Sequence, residues 1–224
     1  MSLDGLIHRW HPSGEEGWPL LLLHGTGGDE DELVPFAQVA APGVPMLAVR
    51  GAVSEGGKLR HFARHPDGRF EASEVVRRAD GLAAFVAAAR DRYGFGTPVA
   101  LGFSNGANIA AALMLLHPAL LAGAILLRAV PPLTDAASAA LVGRRALVIS
   151  GQTDPIAPPA LGADLALCLT DRGAEAAHHV LPCGHDLTAA DVTLARDWLT
   201  SFAKGAPAGP VSSHLNRPKF GDDQ

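Results

Sequence analysis

A serine between two glycines is the most reactive pattern in the chain. Gly102-Phe103-Ser104-Asn105-Gly106 follows an apolar run and precedes a segment with helical spacing. In this strand, turn and helix setting, G-x-S-x-G holds a serine on a sharp turn with its hydroxyl above the sheet, at the N-terminus of the helix. The motif predicts Ser104 as a nucleophile. The alternative is a glycine-rich turn whose serine only caps the helix.

A serine hydroxyl is a weak nucleophile that needs a nearby base, and an acid must orient that base. The chain supplies both in the order serine, acid, histidine, which is the order of α/β-hydrolase triads. Asp154 follows the predicted strand at 146–150, and His185 follows the one at 177–181. Because parallel strands end at one edge of a sheet, we expect Ser104, Asp154 and His185 to meet there.

Other histidines and aspartates are less well placed for these roles. His178 and His179 lie within a predicted strand, and Asp186 directly follows His185, too near in sequence to orient it. The remaining alternatives lie in or at the end of helices or in the C-terminal tail: His117, Asp164, Asp171 and His214.

A glycine-rich turn, His24-Gly25-Thr26-Gly27-Gly28-Asp29, follows the predicted strand at 19–23. Acyl transfer places negative charge on a carbonyl oxygen, which N–H donors must stabilise. The backbone N–H groups of Thr26 and Asn105 are the expected donors of this oxyanion hole. The turn lacks the Gly-Lys-Ser/Thr of a phosphate-binding loop and the spacing of a dinucleotide fingerprint.

Strand-length apolar runs alternate with helical segments, which indicates an α/β protein. The predicted strands are continuously apolar, as in sheets covered on both faces. We therefore expect an α/β fold: an open, mostly parallel sheet flanked by helices on both faces. The predicted strands are 6–10, 19–23, 46–49, 98–103, 123–127, 146–150 and 177–181. The predicted helices are 31–40, 73–93 (capped by Ser73), 106–116, 159–172 and 189–202.

Two segments fall outside this alternation. The connection at 51–72 is long and should lie at the strand ends near Ser104, where Arg60 or Arg64 would attract a substrate carboxylate. Its alternative role is that of a solvated surface. Basic residues outnumber acids from 50 to 72: Arg50, Lys58, Arg60, Arg64 and Arg69 against Glu55, Asp67 and Glu71. The polar Pro/Gly-rich tail at 205–224 should lie outside a single domain formed by 1–204.

Composition limits the classes of function. The formal net charge is −5, with 18 basic and 23 acidic residues, and no long basic run follows a phosphate backbone, so nucleic acid is not expected as a partner. No apolar run is long enough to span a bilayer and the N-terminus does not resemble a signal peptide, so we expect a cytoplasmic protein with no membrane association. Cys168 and Cys183 are expected to be free thiols, and no metal site is expected.

Four motifs in this order resemble the phospholipase/carboxylesterase family of α/β-hydrolases, which includes the acyl-protein thioesterases. The resemblance covers about residues 18–203 and rests on Leu-His-Gly-Thr-Gly-Gly-Asp-Glu, Gly-Phe-Ser-Asn-Gly-Ala-Asn-Ile-Ala, Gly-Gln-Thr-Asp-Pro-Ile-Ala-Pro and Gly-His-Asp-Leu. It implies Ser104 as nucleophile, Asp154 and His185 as its partners, and Thr26 and Asn105 as oxyanion donors. The segments 49–57 and 60–64 are more similar to the bacterial carboxylesterase branch. Thr26 stands where the thioesterases usually have leucine, and Asn105 where they usually have glutamine.

The predicted function is a serine carboxylesterase that acts on small soluble esters without a cofactor. The segment between Ser104 and Asp154 is too short for a large lipase lid, which favours small substrates. The alternatives are an acyl-thioesterase or lysophospholipase with the same triad, and a catalytically silent binding protein on a hydrolase fold. The family also suggests a homodimer.

Overall fold

A computed structural model describes residues 5–13, 18–65, 68–133 and 140–205. A seven-stranded sheet forms the centre of this part of the chain, in the order β1-β3-β2-β6-β7-β8-β9. Strand β1 is antiparallel to β3, and every other neighbouring pair in this sheet is parallel. The described strands are β1 His8–His11, β2 Leu20–Leu23, β3 Met46–Val49, β4 Val53–Glu55, β5 Lys58–Arg60, β6 Val99–Phe103, β7 Gly123–Leu127, β8 Arg145–Gly151 and β9 Glu175–Leu181.

Helices cover both faces of the sheet, as the sequence predicts. The described helices are α1 Val34–Ala40, α2 Ala72–Tyr93, α3 Asn105–Leu116, α4 Pro159–Thr170 and α5 Ala189–Gly205. Alternation within β2 shows how the two layers are held. Leu21 and Leu23 are buried with residues of α2, α3 and α4, whereas Leu20 and Leu22 are buried with residues of α1 and α5. Continuously apolar strands therefore serve two cores, one on each side of the sheet.

The segment predicted as a long connection at 51–72 contains a short antiparallel hairpin, β4–β5, which the sequence analysis did not predict. Its three-residue strands are mostly polar and half-exposed, so they carry no apolar pattern. Leu59 O accepts a hydrogen bond from Gly27 N–H at 2.8 Å, which joins the hairpin to the glycine-rich turn after β2. The hairpin therefore lies at the carboxyl edge of the sheet.

Several predicted boundaries are wrong. The first strand is His8–His11 rather than 6–10, and α1 begins at Val34 because Asp31 N–H bonds to the Asp29 side chain in a turn. Ser73 does not cap α2: the helix begins at Ala72, and the Ser73 hydroxyl donates to Glu71 at 3.2 Å.

The prediction of strands covered on both faces is wrong for β9. This strand lies at the edge of the sheet with β8 on one side, and Ala177, His179 and Val180 are exposed. Residues 206–224 lie outside the described residues, so a C-terminal tail outside the domain stays a prediction. None of the helices in the described part of the chain combines the length and the apolar character needed to cross a bilayer.

Candidate active site

Ser104 occupies the turn between β6 and α3 in an unusual backbone conformation. Its φ is 51° and its ψ is −114°, a left-handed geometry that is costly for a residue with a Cβ. The Ser104 N–H donates to Leu127 O at 2.8 Å, which fixes the turn to the neighbouring strand. The Ser104 side chain makes no capping hydrogen bond to α3. The hydroxyl is therefore directed away from the helix backbone, contrary to the alternative of a simple helix cap.

The glycines on either side of Ser104 are required by close backbone contacts. A Cβ on Gly102 would come within 2.5 Å of Gly106 O, and a Cβ on Gly106 would overlap the Leu23 carbonyl. The G-x-S-x-G spacing thus lets helix α3 start directly against the end of β2. This contact brings the glycine-rich turn after β2 next to the serine.

The structure brings Ser104, His185 and Asp154 together in one hydrogen-bonded chain. His185 Nε2 lies 3.1 Å from Ser104 Oγ, and His185 Nδ1 lies 2.7 Å from Asp154 Oδ2. Because the carboxylate can only accept, the proton of a neutral imidazole belongs on Nδ1, which leaves Nε2 able to accept the serine proton. This is the arrangement that a nucleophile, its base and the orienting acid require.

Two main-chain donors hold Asp154. Its Oδ1 accepts from Ile156 N–H at 2.8 Å and from Ala157 N–H at 2.9 Å. The Asp154 side chain has no solvent exposure, whereas the His185 side chain is 19% exposed. Asp154 is thus held in place and shielded from solvent, whereas His185 is accessible to a small molecule.

The turn at residues 24–29 is anchored from several sides. Gly25 N–H donates to Glu32 Oε2 at 2.6 Å, and the His24 ring lies between Gly25 O and Gly51 N–H. Thr26 and Asn105 line the same cleft as Ser104. Among the described residues, no acceptor bonds to the main-chain N–H of either residue. Both N–H groups are therefore available to an oxyanion.

The side chain of Asn105 has a second role that the sequence analysis missed. Its Oδ1 accepts from His61 N–H at 2.7 Å, and its Nδ2 donates to Phe62 O at 3.2 Å. Asn105 is buried, so these two bonds tie the end of the hairpin segment to the first turn of α3.

The cleft above Ser104 has a volume of about 600 Å³, and its lining among the described residues includes four arginines, Arg60, Arg64, Arg69 and Arg128, and one acid, Asp164. Arg60 Nη1 donates to Thr26 Oγ1 at 3.1 Å, and its Nε lies 3.0 Å from Glu55. Arg64 is exposed and donates from Nε to Gly68 O. Apolar side chains complete the wall: Phe70, Val130, Pro131, Pro132, Leu133, Ile156 and Leu161. The predicted basic segment does lie at the mouth of the site.

Within the described residues, none of the other candidates for base or acid bonds through its side chain to Ser104 or His185, although Asp164 lines the cleft. His178 bonds to Ser150 on the neighbouring strand at 3.0 Å, and His117 bonds to Asp80 at 2.8 Å. Asp186 is exposed, and its main-chain carbonyl accepts a bond from Arg128. His214 falls outside the described residues.

A buried ion pair behind His185 was also missed. Arg128 and Asp191 have no exposed side-chain surface, and their nitrogen and oxygen atoms lie 2.7 Å apart. Asp191 also accepts from Thr188 N–H and Oγ1 at the start of α5. The pattern Thr188-Ala189-Ala190-Asp191 is similar to a capping box, of which the structure forms the half in which the acid accepts from the Thr188 N–H, and this pattern is the sequence signal that could have revealed the acid.

Neither free thiols nor metal ligands form a further centre in the part of the chain that the structure describes. Cys168 and Cys183 are unpaired with each other, as predicted. No group of three or more histidine, cysteine or acidic side chains within the described ranges is arranged to hold a metal ion. The absence of a cofactor stays a prediction.

No family model matches the sequence. The chain is 36% identical to the hydrolase MhqD of Bacillus subtilis over 181 residues, which is 80% of this chain and 90% of that protein. It belongs to the phospholipase/carboxylesterase family of α/β-hydrolases. It is accordingly a serine hydrolase of the carboxylesterase type.

Solved structures agree with this placement. The carboxylesterase of Bacillus cereus is 34% identical, covers 89% of this chain and 95% of its own, and superposes with a TM-score of 0.86. The structure of YahD with malic acid is 27% identical, covers 88% of this chain and 100% of its own, and has a TM-score of 0.83. The α/β-hydrolase fold predicted from the sequence is confirmed.

Proposed function

We propose that this chain hydrolyses small carboxylic esters through an acyl-enzyme formed on Ser104. The observation that carries the proposal is the chain of hydrogen bonds from Ser104 Oγ through His185 to Asp154, with distances of 3.1 and 2.7 Å, at the floor of an open cleft. A serine, a correctly oriented imidazole and a buried carboxylate are together the parts that nucleophilic acyl transfer needs.

The reaction follows from this geometry in two halves. Ser104 Oγ attacks the ester carbonyl while His185 Nε2 takes the hydroxyl proton, and Asp154 stabilises the resulting imidazolium. The C–O bond to the alcohol then breaks as His185 returns the proton to the leaving oxygen. Water attacks the acyl-enzyme in the same way, and its proton passes through His185 to Ser104 as the acid is released.

The N–H groups of Thr26 and Asn105 are the proposed oxyanion donors. Both line the cleft beside Ser104, and Asn105 N–H lies at the N-terminus of α3, where the helix dipole favours negative charge. Hydrogen bonds from Gly25 and Gly27 to neighbouring segments hold the turn in place before substrate arrives. Such preorganised donors stabilise charge that appears only in the transition state.

The charge of the cleft favours an ester that carries a carboxylate. Arg128 is neutralised by Asp191, Arg60 lies beside Glu55, and Arg69 has an interaction of its own, so the exposed Arg64 is the proposed main attraction, with Arg60 less exposed and next to Thr26. The related YahD structure holds malic acid, a small dicarboxylic acid. We therefore extend the proposal to monoesters of small dicarboxylic acids.

Covalent labelling tests the proposal most directly. A fluorophosphonate probe should label the wild-type chain and leave Ser104→Ala unlabelled. Ser150→Ala is the matched control, because Ser150 forms the other serine–histidine contact among the described residues, with His178, and should leave labelling unchanged. Loss of labelling in the control but not in Ser104→Ala would refute the assignment. No labelling of the wild type would favour a silent binding protein.

A substrate series defines the class of ester. On p-nitrophenyl esters, kcat/KM should be higher for acetyl to hexanoyl chains than for palmitoyl, because a cleft with four arginines in its lining offers little continuous apolar surface to cover a chain of sixteen carbons. Ser104→Ala should lower kcat by about 10⁴-fold or more. A thioester hydrolysed much faster than the ester of the same acyl group would reassign the chain as a thioesterase.

A further inference from the structure

Arg128 lies directly behind the loop that carries His185. It follows the last residue of β7 with a φ of 54°, a left-handed conformation that a side chain rarely adopts. Its N–H donates to Ile149 O at 2.8 Å, so the backbone is held between two strands while the side chain turns inward. A left-handed backbone and a fully buried charged side chain both cost free energy of folding, which suggests that Arg128 has a role beyond packing.

The guanidinium bonds to both carbonyls that flank the histidine. Nε donates to Gly184 O at 3.1 Å, and Nη2 donates to Asp186 O at 2.9 Å. The remaining donors reach Asp191 Oδ1 and Oδ2 at 2.7 and 2.9 Å and Ile149 O at 3.4 Å. A guanidinium has five N–H groups, and here each has an acceptor. None is left over to bind a substrate, although Arg128 borders the cleft.

Asp191 extends the same connection to helix α5. Its Oδ2 accepts from Thr188 N–H at 2.7 Å and from Thr188 Oγ1 at 2.8 Å, three residues past His185. The histidine loop is thus held at 184 and 186 by Arg128 and at 188 by the acid paired with that arginine. The His185 ring itself contacts Ser104, Asp154 and the Phe103 ring, whose centroid lies 5.2 Å from its own.

We propose that Arg128, paired with Asp191, is a positioning residue that sets the position and orientation of the His185 ring relative to Ser104. The inference rests on the proposed function of His185. A displacement of about 1 Å in a catalytic group costs on the order of 10²-fold in rate. The two bonds that hold the main chain on either side of the histidine are therefore expected to affect kcat strongly. A lysine has three donors around a single nitrogen and cannot reach both carbonyls and the carboxylate.

The test separates positioning from stability. Arg128→Met alone leaves the Asp191 carboxylate buried without a counter-charge and is expected to destabilise the fold. The informative variant is therefore the double variant Arg128→Met/Asp191→Asn, in which no net charge is buried and the amide oxygen introduced at position 191 still accepts from Thr188. We expect kcat for a p-nitrophenyl ester to fall about 100-fold with KM within threefold of wild type, in a chain that still unfolds cooperatively.

A spectroscopic readout does not depend on turnover. The low-field ¹H NMR signal of the His185 Nδ1–H bonded to Asp154 should be present in the wild type and lost or broadened in the double variant. Arg128→Lys retains the charge opposite Asp191, so it should recover stability without recovering kcat or the signal.

Arg145→Met is the matched control, because Arg145 also packs on α5, over Trp198 and Phe202, but at the end of the helix remote from His185. It should lower stability and leave kcat and the signal unchanged. A double variant with kcat within threefold of wild type and an intact signal would overturn the inference. If the double variant does not fold, Arg128→Lys decides alone: wild-type kcat and signal in that variant would refute it. Failure of Ser104→Ala to abolish turnover would instead refute the proposed function.

Discussion

Replacement of Asp154 by asparagine should damage the enzyme through the tautomer of His185. In the wild type, one carboxylate oxygen accepts from Ile156 and Ala157 N–H, and the other accepts from His185 Nδ1. In Asp154→Asn the amide oxygen must face the two main-chain donors. The flipped orientation would set an NH₂ group against the part-buried Ile156 N–H and the buried Ala157 N–H at 2.8 and 2.9 Å, a loss of about 1–3 kcal/mol for the buried hydrogen bond and less for the other.

The amide NH₂ therefore points at His185 Nδ1 and requires that nitrogen to accept. The imidazole proton then lies on Nε2, facing Ser104 Oγ, where it cannot take the hydroxyl proton. A wrong tautomer with intact geometry costs about 10⁴-fold in kcat in a serine protease triad. The same loss here corresponds to about 5.4 kcal/mol of transition-state stabilisation.

Steady-state hydrolysis of p-nitrophenyl acetate at pH 7, with thermal unfolding measured in parallel, checks this expectation. The matched control is Asp186→Asn, since Asp186 is next to the histidine but exposed, and only its main-chain carbonyl enters the network. The control should keep kcat within about threefold. A value of kcat for Asp154→Asn within tenfold of wild type, or an equal loss in Asp186→Asn, would show that the orienting acid has been assigned wrongly.

Three further outcomes follow from contacts described above. In the double variant Arg60→Gln/Arg64→Gln, KM for a p-nitrophenyl monoester of a dicarboxylic acid should rise about fivefold to tenfold. KM for a neutral ester of equal size should stay nearly unchanged. Equal changes for both esters would contradict carboxylate recognition. Burial, and then the neighbouring His24, hold the pKa of His61 well below its ordinary value of 6.5, so the unfolded chain binds the extra proton first as the pH falls. The free energy of unfolding should therefore decline below pH 6.5 by up to about 1.4 kcal/mol per pH unit. Urea titrations at pH 7.5 and 5.5 should show a smaller decline for His61→Phe than for the wild type. An equal decline in both proteins would contradict the role of His61. Gly106→Ala should yield little folded protein, because the new methyl group overlaps the Leu23 carbonyl, and a well-folded, active variant would contradict the close contact.

The sequence predicts most of the central sheet because its strands carry a simple signal. Strands β3 and β7 have the predicted bounds, 46–49 and 123–127, since Pro45 and Gly123 mark where each apolar run begins. The placement of Ser104, Asp154 and His185 at one edge follows from the same parallel topology. Their catalytic roles stay proposals until the variants are measured.

Contacts between polar residues distant in sequence could not be predicted. Arg128 follows an apolar strand and suggests a solvated end, yet its partner lies 63 residues away. The left-handed backbone that turns its side chain inward cannot be predicted from the residue type, because arginine rarely adopts this conformation. The β4–β5 hairpin was not predicted for a related reason: its strands are short and polar, and its end is held by two bonds to the Asn105 side chain and by the buried Phe62 just beyond it.

The way this hairpin is attached bears on how substrate range can diversify in such enzymes. Asn105 binds the main chain at 61 and 62, and Leu59 binds the turn through its carbonyl, so the attachment rests mainly on main-chain groups, with the Arg60 bond to Thr26 as the side-chain contribution from 53–60. The hairpin can therefore be replaced by a segment of different charge or length while the nucleophile and the oxyanion turn keep their positions. Directed evolution toward new esters should therefore accumulate changes within 53–60 and leave Asn105 unchanged.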